Sequence, residues 1–207
     1  MPAHPLAPSP SLHHIVRPSA NADLTAIGTV LAAAFHDDPV VSWIMPGDER
    51  RRADLPMLMR LFASRFQPHG ENQINETGTG AAVWAPPGAV FTPDDDQRFE
   101  TALTAAAGDA IGRAGELMAV MDECHPHDPH HYLMLLGVVP DRQGTGIGSA
   151  LLRAVLDRAD RAGEAAYLEA TTPRNRALYE RHGFEVTREL RCADCPPLWA
   201  MWRDPRS

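Results

Sequence analysis

The sequence contains no lysine, since all 19 of its cationic side chains are arginines. This absence excludes a P-loop nucleotidase, which needs a lysine on the phosphates, and a Schiff-base enzyme, which needs a lysine amine. Ser–Lys hydrolases and protein kinases are excluded for the same reason. The chemistry of the protein therefore has to be carried by arginine, by other side chains or by the backbone.

Cysteines and long apolar runs are also scarce. The three cysteines, Cys124, Cys192 and Cys195, are an odd number for a chain of 207 residues, which argues against a disulfide framework. A zinc site made from two of them and the crowded histidines of residues 125–131 would need distant loops to meet, so no metal is expected. No stretch approaches about 20 apolar residues, and residues 1–14 lack the basic start and apolar centre of a signal peptide. The sequence therefore predicts a cytoplasmic protein with no membrane partner.

Net charge and composition indicate which class of protein this is. A net charge of −8 with 27 acidic residues argues against a broad basic face for nucleic acid. The contents of 44% hydrophobic and 22% charged residues are those of an ordinary globular protein, and the length suits one domain. We expect residues 1–14, which are rich in proline and serine, to form a disordered tail. Residues 15–207 are expected to form a single domain.

Hydrophobic periodicity and turn residues predict an α+β fold, with strands and helices mixed around one sheet. Pro56 lies inside a helical stretch and predicts a kink or a break there. The segment His36–Pro39 is a turn signal. Strands are predicted at 13–17, 73–77, 81–85, 132–139, 166–170, 184–190 and 198–203. Helices are predicted at 24–35, 48–66 and 174–182, with a further long helix after a glycine-rich turn at 144–148. One or two helices are predicted over 93–124, interrupted near Gly108 and Gly112.

The most informative segment, residues 135–149, is an apolar strand that leads through a glycine-rich loop into an amphipathic helix. Glycines let the backbone approach a ligand closely, and the unpaired N–H groups at a helix start point at an anion. The segment therefore predicts a phosphate site, and a glycine-rich turn without a ligand is the alternative. The dinucleotide fingerprint fails because Ser149 stands where a glycine is needed.

The residues of this segment resemble those of a known family. Gln143-x-x-Gly146-x-Gly148, preceded by Val138-x-Pro140, is similar to the acetyl-CoA motif of the GNAT superfamily of N-acetyltransferases. The resemblance implies a splayed central mixed sheet of six to seven strands flanked by helices. It also implies acetyl-CoA as co-substrate and no metal.

A second part of the chain strengthens the resemblance. Residues 168–184 look like the second motif of the family, and the two motifs stand in the family's order. Residues 31–35 and Val83-Trp84 look like the puromycin N-acetyltransferase branch. Thr145 departs from the pattern, because many relatives carry a basic residue there. We expect weaker attraction for phosphate at this position, offset by Arg142 or Arg174.

The resemblance also implies roles for individual residues. Tyr179 aligns with the proton donor to the coenzyme sulfur, and Glu169 aligns with a carboxylate that acts as base, directly or through water. Asn175 would hydrogen-bond the pantetheine arm. Gly137 permits a bulge, so that the Val138 N–H can face the thioester carbonyl. The residues expected to bind the coenzyme along the strand and loop are Leu136, Gly137, Val138, Arg142, Gln143, Gly144, Thr145, Gly146, Ile147, Gly148 and Ser149.

The acceptor is expected to be a small-molecule amine. Phe35, Trp43 and Trp84 fall in regions that flank the acceptor channel in the family, and the tryptophan-rich C-terminal strand suits pairing in a homodimer. Two other functions stay open: a non-catalytic acyl-CoA-binding sensor, and an acetyltransferase for protein or peptide amines. Tyr179 has a purely structural alternative in core packing, and Glu169 has one in pairing with an arginine.

Overall fold

The structure is a computed structural model that describes residues 12–192 and 194–206 of the chain. Most of the predicted tail of residues 1–14 lies outside the described residues. Its last part, Leu12–His14, forms one turn of 3-10 helix before the first strand. The chain is therefore already structured where the tail was expected to end.

In chain order, the strands of the described residues are β1 (Val16–Pro18), β2 (Gln73–Asn75), β3 (Gly80–Ala85), β4 (His130–Val138), β5 (Ala165–Ala170), β6 (Glu185–Leu190) and β7 (Leu198–Arg203). They form one sheet in the order β1-β2-β3-β4-β5-β7-β6. β4 and β5 run parallel, and the other neighbouring pairs run antiparallel. This sheet confirms the predicted mixed architecture.

The described residues form the helices α1 (Leu24–Phe35), α2 (Pro39–Ile44), α3 (Asp48–Phe66), α4 (Pro93–Ala107), α5 (Ile111–Cys124), α6 (Ile147–Ala162) and α7 (Pro173–Arg181). Alternate residues of a strand face opposite sides of the sheet. Ala81, Val83 and Ala85 of β3 accordingly pack with α1, α3 and α4, while Ala82 and Trp84 pack with α6 and α7. None of the described helices combines the length and apolar character needed to cross a membrane.

A wedge opens in the sheet between β4 and β5. The two strands pair only through His130–Leu133 and Ala165–Leu168, and beyond this point β4 pairs with β3 alone. One extra residue, Met134, lies between the β4 residues that pair with Val83 and Trp84. Such a bulge bends a strand and increases its twist. The bend coincides with the point where β4 leaves β5, and it gives the splayed sheet that the resemblance implied.

The bulge is not at Gly137, where it was expected. Gly137 pairs regularly with Ala81 of β3. A Cβ atom at position 137 would lie 2.7 Å from Cβ of Ala34 and 2.9 Å from Cδ2 of Leu31, both on α1. Glycine at this position therefore lets α1 pack closely on β4, and that packing is the physical reason for the residue.

The predicted turn at His36–Pro39 leads into a short helix that the sequence did not predict. Oδ1 of Asp38 accepts from the N–H of Val40 at 2.9 Å and from that of Val41 at 3.1 Å. Pro39 occupies the first helical position, where a missing N–H costs nothing. α2 has only six residues, too few for helical periodicity to show.

α3 continues through Pro56, so the predicted kink or break does not interrupt it. Only the hydrogen bond of the missing N–H is lost there. Arg51 of this helix donates to the carbonyl groups of His36 and Met45, each at 2.9 Å. Arg51 thus attaches both ends of the α2 segment to α3.

A partly buried ionic cluster joins β4 to α6. Nε2 of His131 lies 2.8 Å from Glu164, and its Nδ1 lies 3.4 Å from Glu71. Arg158 pairs with the other oxygen of Glu71 at 3.0 Å. Burial alone would lower the pKa of His131, but the two carboxylates outweigh burial and raise it. Burial alone would raise the pKa of Glu71, but His131 and Arg158 hold it below its ordinary value.

Replacing His131 with Gln should lower the free energy of unfolding by about 2 kcal/mol at pH 6, because a charge-assisted hydrogen bond to Glu164 and an ion pair with Glu71 are lost. A histidine whose pKa rises on folding contributes its full stabilisation of the folded state below its unfolded-state pKa, about 6.5. That contribution is lost as pH rises through its folded-state pKa. The difference between the two proteins in urea denaturation should therefore be largest near pH 6 and shrink as the pH rises through the raised folded pKa. A difference that does not shrink as the pH rises would contradict a charged His131.

Candidate functional site

The start of α6 leaves backbone donors without helical partners. Gly146 precedes the helix with φ of 93°, and it offers no side chain to cap it. The N–H of Ala150 bonds to the carbonyl of Gly146 at 3.0 Å. The N–H groups of Ile147, Gly148 and Ser149 come before this first turn closes, so they are free for an external acceptor. The positive end of the helix dipole adds to the attraction for an anion.

Side chains from three elements fix the loop before α6. Gln143 donates to the carbonyl of Val138 at 3.1 Å and accepts from Arg174 of α7 at 2.8 Å. His14 donates from Nε2 to the carbonyl of Thr145 at 2.7 Å. The loop is thereby held to β4, to α7 and to the 3-10 turn that precedes β1. The role of His14 was not visible in the sequence because the contact joins distant parts of the chain.

A cleft of about 320 Å³ lies over this helix start. Thr145 is absent from its lining, because the threonine hydroxyl turns into the loop and donates to the carbonyl of Arg142 at 2.6 Å. Positive charge comes from Arg142, Arg174 and Arg181, of which Arg181 was not predicted. The predicted residues that line the cleft are Leu136, Gly137, Val138, Arg142, Gln143, Gly144, Gly146, Ile147, Gly148, Ser149, Asn175 and Tyr179.

The open edge of β4 presents backbone groups to the wedge. The N–H of Val139 bonds to Thr79, on the β3 side of the strand, at 3.0 Å. Because successive residues of a strand direct their polar groups to opposite edges, the N–H of Val138 points away from β3, into the wedge. The carbonyl of Val138 accepts from Gln143 on that same open side. The N–H of Val138 is therefore available in the wedge as a donor to a carbonyl oxygen, as the sequence predicted.

A second cavity, of about 180 Å³, adjoins the cleft. It lies on the face of the sheet that carries α1 and α3, and most of its walls are aliphatic. Glu169 and Thr171 line it together with apolar residues of α2, α3 and α5. Both cavities share five lining residues, so they meet at one place: Phe35, Asp38, Leu136, Asn175 and Tyr179.

Glu169 has the environment of a base that works near neutral pH. It lies on the same face of β5 as Tyr167, because alternate strand residues share a face. The Tyr132 hydroxyl donates to Oε2 of Glu169 at 2.9 Å. Burial raises the pKa of Glu169 to about 7, although the hydrogen bond from Tyr132 favours the anion. No arginine of the described residues pairs with this carboxylate, so the structural alternative for Glu169 finds no support.

Tyr179 stands where the two cavities meet. Its side chain is 6% exposed, and its ring contacts Phe184 edge-on at 6.0 Å. Burial, with a smaller effect from the charge of Asp38, raises the pKa of Tyr179, so the hydroxyl keeps its proton at neutral pH. Within the described part of the chain, this hydroxyl has no hydrogen-bond partner. It is therefore a free donor at the junction.

Asp38 is a residue of the site that sequence reasoning missed. Its Oδ2 accepts from the Thr171 hydroxyl at 2.6 Å, while its Oδ1 caps α2. Burial raises the pKa of Asp38, and the hydrogen bond from Thr171 opposes that rise. The Asp-Pro pair was read as a turn, and helix capping was the signal that could have been recognised. Asp38 fixes the start of α2 beside Tyr179.

The structure does not bring all three predicted aromatic residues to the second cavity. Phe35 lines it. Trp43 lies beside Arg113, which donates to its carbonyl at 2.6 Å and whose guanidinium is 5.5 Å from its ring centre. Trp84 is completely buried on the opposite, α6 face of the sheet, because alternation in β3 turns it there. The expectation is corrected for Trp43 and Trp84.

The histidine-rich segment before β4 packs against the tyrosines of the site. The ring of His125 lies edge-on to Tyr132 and Tyr167, at 4.8 and 5.1 Å between ring centres. Within the described residues, no three side chains of His, Cys, Asp or Glu gather as a metal ion would need. Cys192 and Cys195 form a disulfide bond, which the odd number of cysteines did not predict.

Comparisons with known proteins find a matching family model and similar structures. The sequence model of the acetyltransferase (GNAT) domain matches residues 102–186. A crystal structure from Corynebacterium glutamicum, described as histone acetyltransferase HPA2 and related acetyltransferase, is 31% identical, with a TM-score of 0.70. The match covers 93% of this chain and 97% of that protein. Polyamine N-acetyltransferase of Drosophila melanogaster has a TM-score of 0.62, and the match covers 92% of this chain and 99% of that protein. At 16% identity, this similarity shows the fold alone.

One curated relative is also similar in sequence. It is the mycothiol acetyltransferase of Propionibacterium freudenreichii, which is 33% identical over 153 residues. The match covers 69% of this chain and 48% of the relative, so the chain spans about half the length of the curated relative that it matches.

Proposed function

The chain belongs to the GNAT family of acetyltransferases, and on that premise we propose that it transfers the acetyl group of acetyl-CoA to the amine of a small molecule. One observation carries the proposal. A cleft with free helix N–H groups meets a second cavity at Tyr179, and a carboxylate with a pKa of about 7 borders that second cavity. A binding module would need the first cleft, but it would have no need of the acid and base beside it.

The cleft suits the coenzyme in shape and charge. The N–H groups at the start of α6, flanked by Arg142 and Arg174, would hold the pyrophosphate. Asn175, which lines both cavities, would hold the pantetheine arm as it reaches the junction. Acetyl-CoA would supply a thioester, whose carbonyl carbon accepts the amine. The Val138 N–H would donate to the thioester oxygen, where negative charge develops during the reaction.

Proton transfers complete the reaction. An alkyl ammonium has a pKa of about 10 and cannot attack, so Glu169 removes one proton from it, directly or through water. The new N–C bond forms as the C–S bond breaks, and the sulfur leaves with the electron pair of that bond. Tyr179 donates its proton to the departing sulfur, and the second proton that the nitrogen loses as the amide forms restores the Tyr179 hydroxyl. The proton taken by Glu169 goes to solvent, so an alkyl ammonium and acetyl-CoA give an acetamide, a free thiol and one proton.

Release of free thiol from acetyl-CoA in the presence of a panel of amines tests the proposal. The panel should include puromycin, because residues 31–35 and Val83-Trp84 favour that branch, and also agmatine and a mixture of peptides with free N-termini. Mass spectrometry should show an acetylated small amine. Acetyl-CoA binding without thiol release for any amine would favour a sensor, and acetylated peptides alone would favour a protein acetyltransferase.

Replacing Gly144 with Ala should weaken acetyl-CoA binding about tenfold. Gly144 has φ of 78°, and a side chain makes this conformation unfavourable by about 1–2 kcal/mol. The free loop would relax, and binding would have to restore the conformation, which corresponds to roughly tenfold in Kd. Gly163→Ala is the matched control, because Gly163 has φ of 71° at the far end of the same helix.

Isothermal titration of acetyl-CoA measures both variants. The strain is similar at the two glycines, and a Cβ atom would meet nothing within 4 Å at either of them. Gly163→Ala should therefore keep the Kd of the unmodified protein. Equal weakening in both variants would mean that the loop of residues 142–146 is not where the coenzyme binds.

A further inference from the structure

The walls of the second cavity limit the chemistry of the acceptor. Twenty-six residues line it, and five of them are polar or carry a hydroxyl group. The others are apolar residues of α1 to α5, β4 and β7, together with Met45 after α2 and Ala110 before α5. An acceptor in this cavity therefore meets aliphatic and thioether groups over most of its surface.

The polar groups are gathered at one end of the cavity. Asp38, Asn175 and Tyr179 also line the coenzyme cleft, so they lie at the junction. Thr171 donates to Asp38 at 2.6 Å, which places it at the same end. Glu169 precedes Thr171 by two residues on the same face of the chain. The amine of an acceptor therefore finds hydrogen-bond partners only at the junction, where the acetyl group would be delivered.

The other end of the cavity is lined by methionines and a phenylalanine. Phe62, Met118, Met121 and Met134 line both this cavity and a larger one of about 390 Å³, which also has charged and imidazole lining residues. Met118 is 41% exposed. Methionine side chains are flexible and adapt to the shape of a ligand. The four shared residues therefore form an apolar passage between the larger cavity and the second cavity.

Resting on the proposed function, we propose that the acceptor is a primary amine with an apolar alkyl or arylalkyl body, which enters past Met118 and Met121 with its amine leading. The body fills the aliphatic part of the cavity, and the amine reaches Glu169. In an acceptor short enough to lie within this cavity, a second charged group would lie among apolar side chains, because the carboxylates of Asp122 and Asp128 line only the larger cavity. Burying a charge in this way is unfavourable.

A matched pair of substrates tests this proposal on the unmodified protein. Hexylamine and 1,5-diaminopentane have the same number of heavy atoms. The far end of hexylamine is a methyl group, and the far end of the diamine is an ammonium group. We expect kcat/KM for hexylamine to be at least about 100-fold higher, measured by thiol release at saturating acetyl-CoA. Equal or higher activity with the diamine would overturn the proposed substrate class while leaving the acetyltransferase function in place. No thiol release with any amine would overturn both.

A pair of variants then tests which wall discriminates. Met121→Glu places a carboxylate at the far end of the cavity, and it should lower the preference for hexylamine over the diamine at least about tenfold. Met57→Glu is the control, since Met57 is 54% exposed on α3 and does not line the cavity. An unchanged preference in a folded Met121→Glu protein would overturn the placement of the acceptor's body. If that variant does not fold, the substrate pair alone decides.

Discussion

Replacing Glu169 with Gln should lower kcat at neutral pH by about 100- to 10,000-fold, the range expected for loss of a positioned base. Gln has nearly the same shape but cannot take a proton from the acceptor. In the unmodified protein, kcat should rise with pH through about 7 and then level off, because burial raises the pKa of Glu169 to about 7 and the base works only as the anion. The variant should lose this pH dependence. Steady-state kinetics between pH 5.5 and 9 with an active amine measure both effects.

The controls for this variant separate chemistry from folding. A carboxylate whose pKa is raised on folding stabilises the folded state less when it is ionised. Its contribution to the free energy of unfolding therefore falls as pH rises through the folded-state pKa. A rise from 4.5 to about 7 corresponds to roughly 3 kcal/mol, so Glu169→Gln should be at least as stable as the unmodified protein at pH 8. Glu180→Gln, which removes an exposed carboxylate on α7, should leave kcat within about twofold. Full activity in Glu169→Gln would remove Glu169 from the mechanism.

The cleft proposed for the coenzyme was predictable because its signals are local. Gly144, Gly146 and Gly148 lie within five consecutive residues, and the helix they introduce follows at once. The physics of a helix start needs only these neighbours. The strand before the loop is strongly apolar, which placed β4 to within two residues of its observed limits. Twelve of the predicted coenzyme and catalytic residues therefore line one cleft.

The cavity proposed for the acceptor was less predictable because it is built by contacts between distant parts of the chain. Tyr132 meets Glu169 only because β4 and β5 pair in a register that puts Tyr132 opposite Tyr167. Asp38 meets Thr171 across 133 positions of the sequence. Hydrophobic periodicity in the sequence shows neither the register between two strands nor a contact between residues so far apart in the chain. Trp84 shows the same limit, since one step along β3 decides which face of the sheet a side chain joins.

Replacing Tyr179 with Phe should lower kcat about 100-fold while leaving the Kd of acetyl-CoA nearly unchanged. The variant loses only a hydroxyl group, which is the proposed donor to the departing sulfur. A thiolate leaves more readily than an amine would, so the loss should lie near the lower end of the range for acid catalysis. Single-turnover measurement of thiol release, with titration of acetyl-CoA, checks both parts of the prediction.

The competing interpretation of Tyr179 is packing against Phe184, and stability measurements separate the two. The ring contact of 6.0 Å is retained in Tyr179→Phe, and within the described residues the lost hydroxyl has no partner to leave unsatisfied. The free energy of unfolding should therefore change by less than about 0.5 kcal/mol. Phe184→Leu is the complementary variant: it disturbs the packing but keeps the hydroxyl, so it should lose about 1 kcal/mol or more of stability and retain most of kcat. If Tyr179 serves only packing, Phe184→Leu will lower activity at least as much as Tyr179→Phe, because activity will then follow stability.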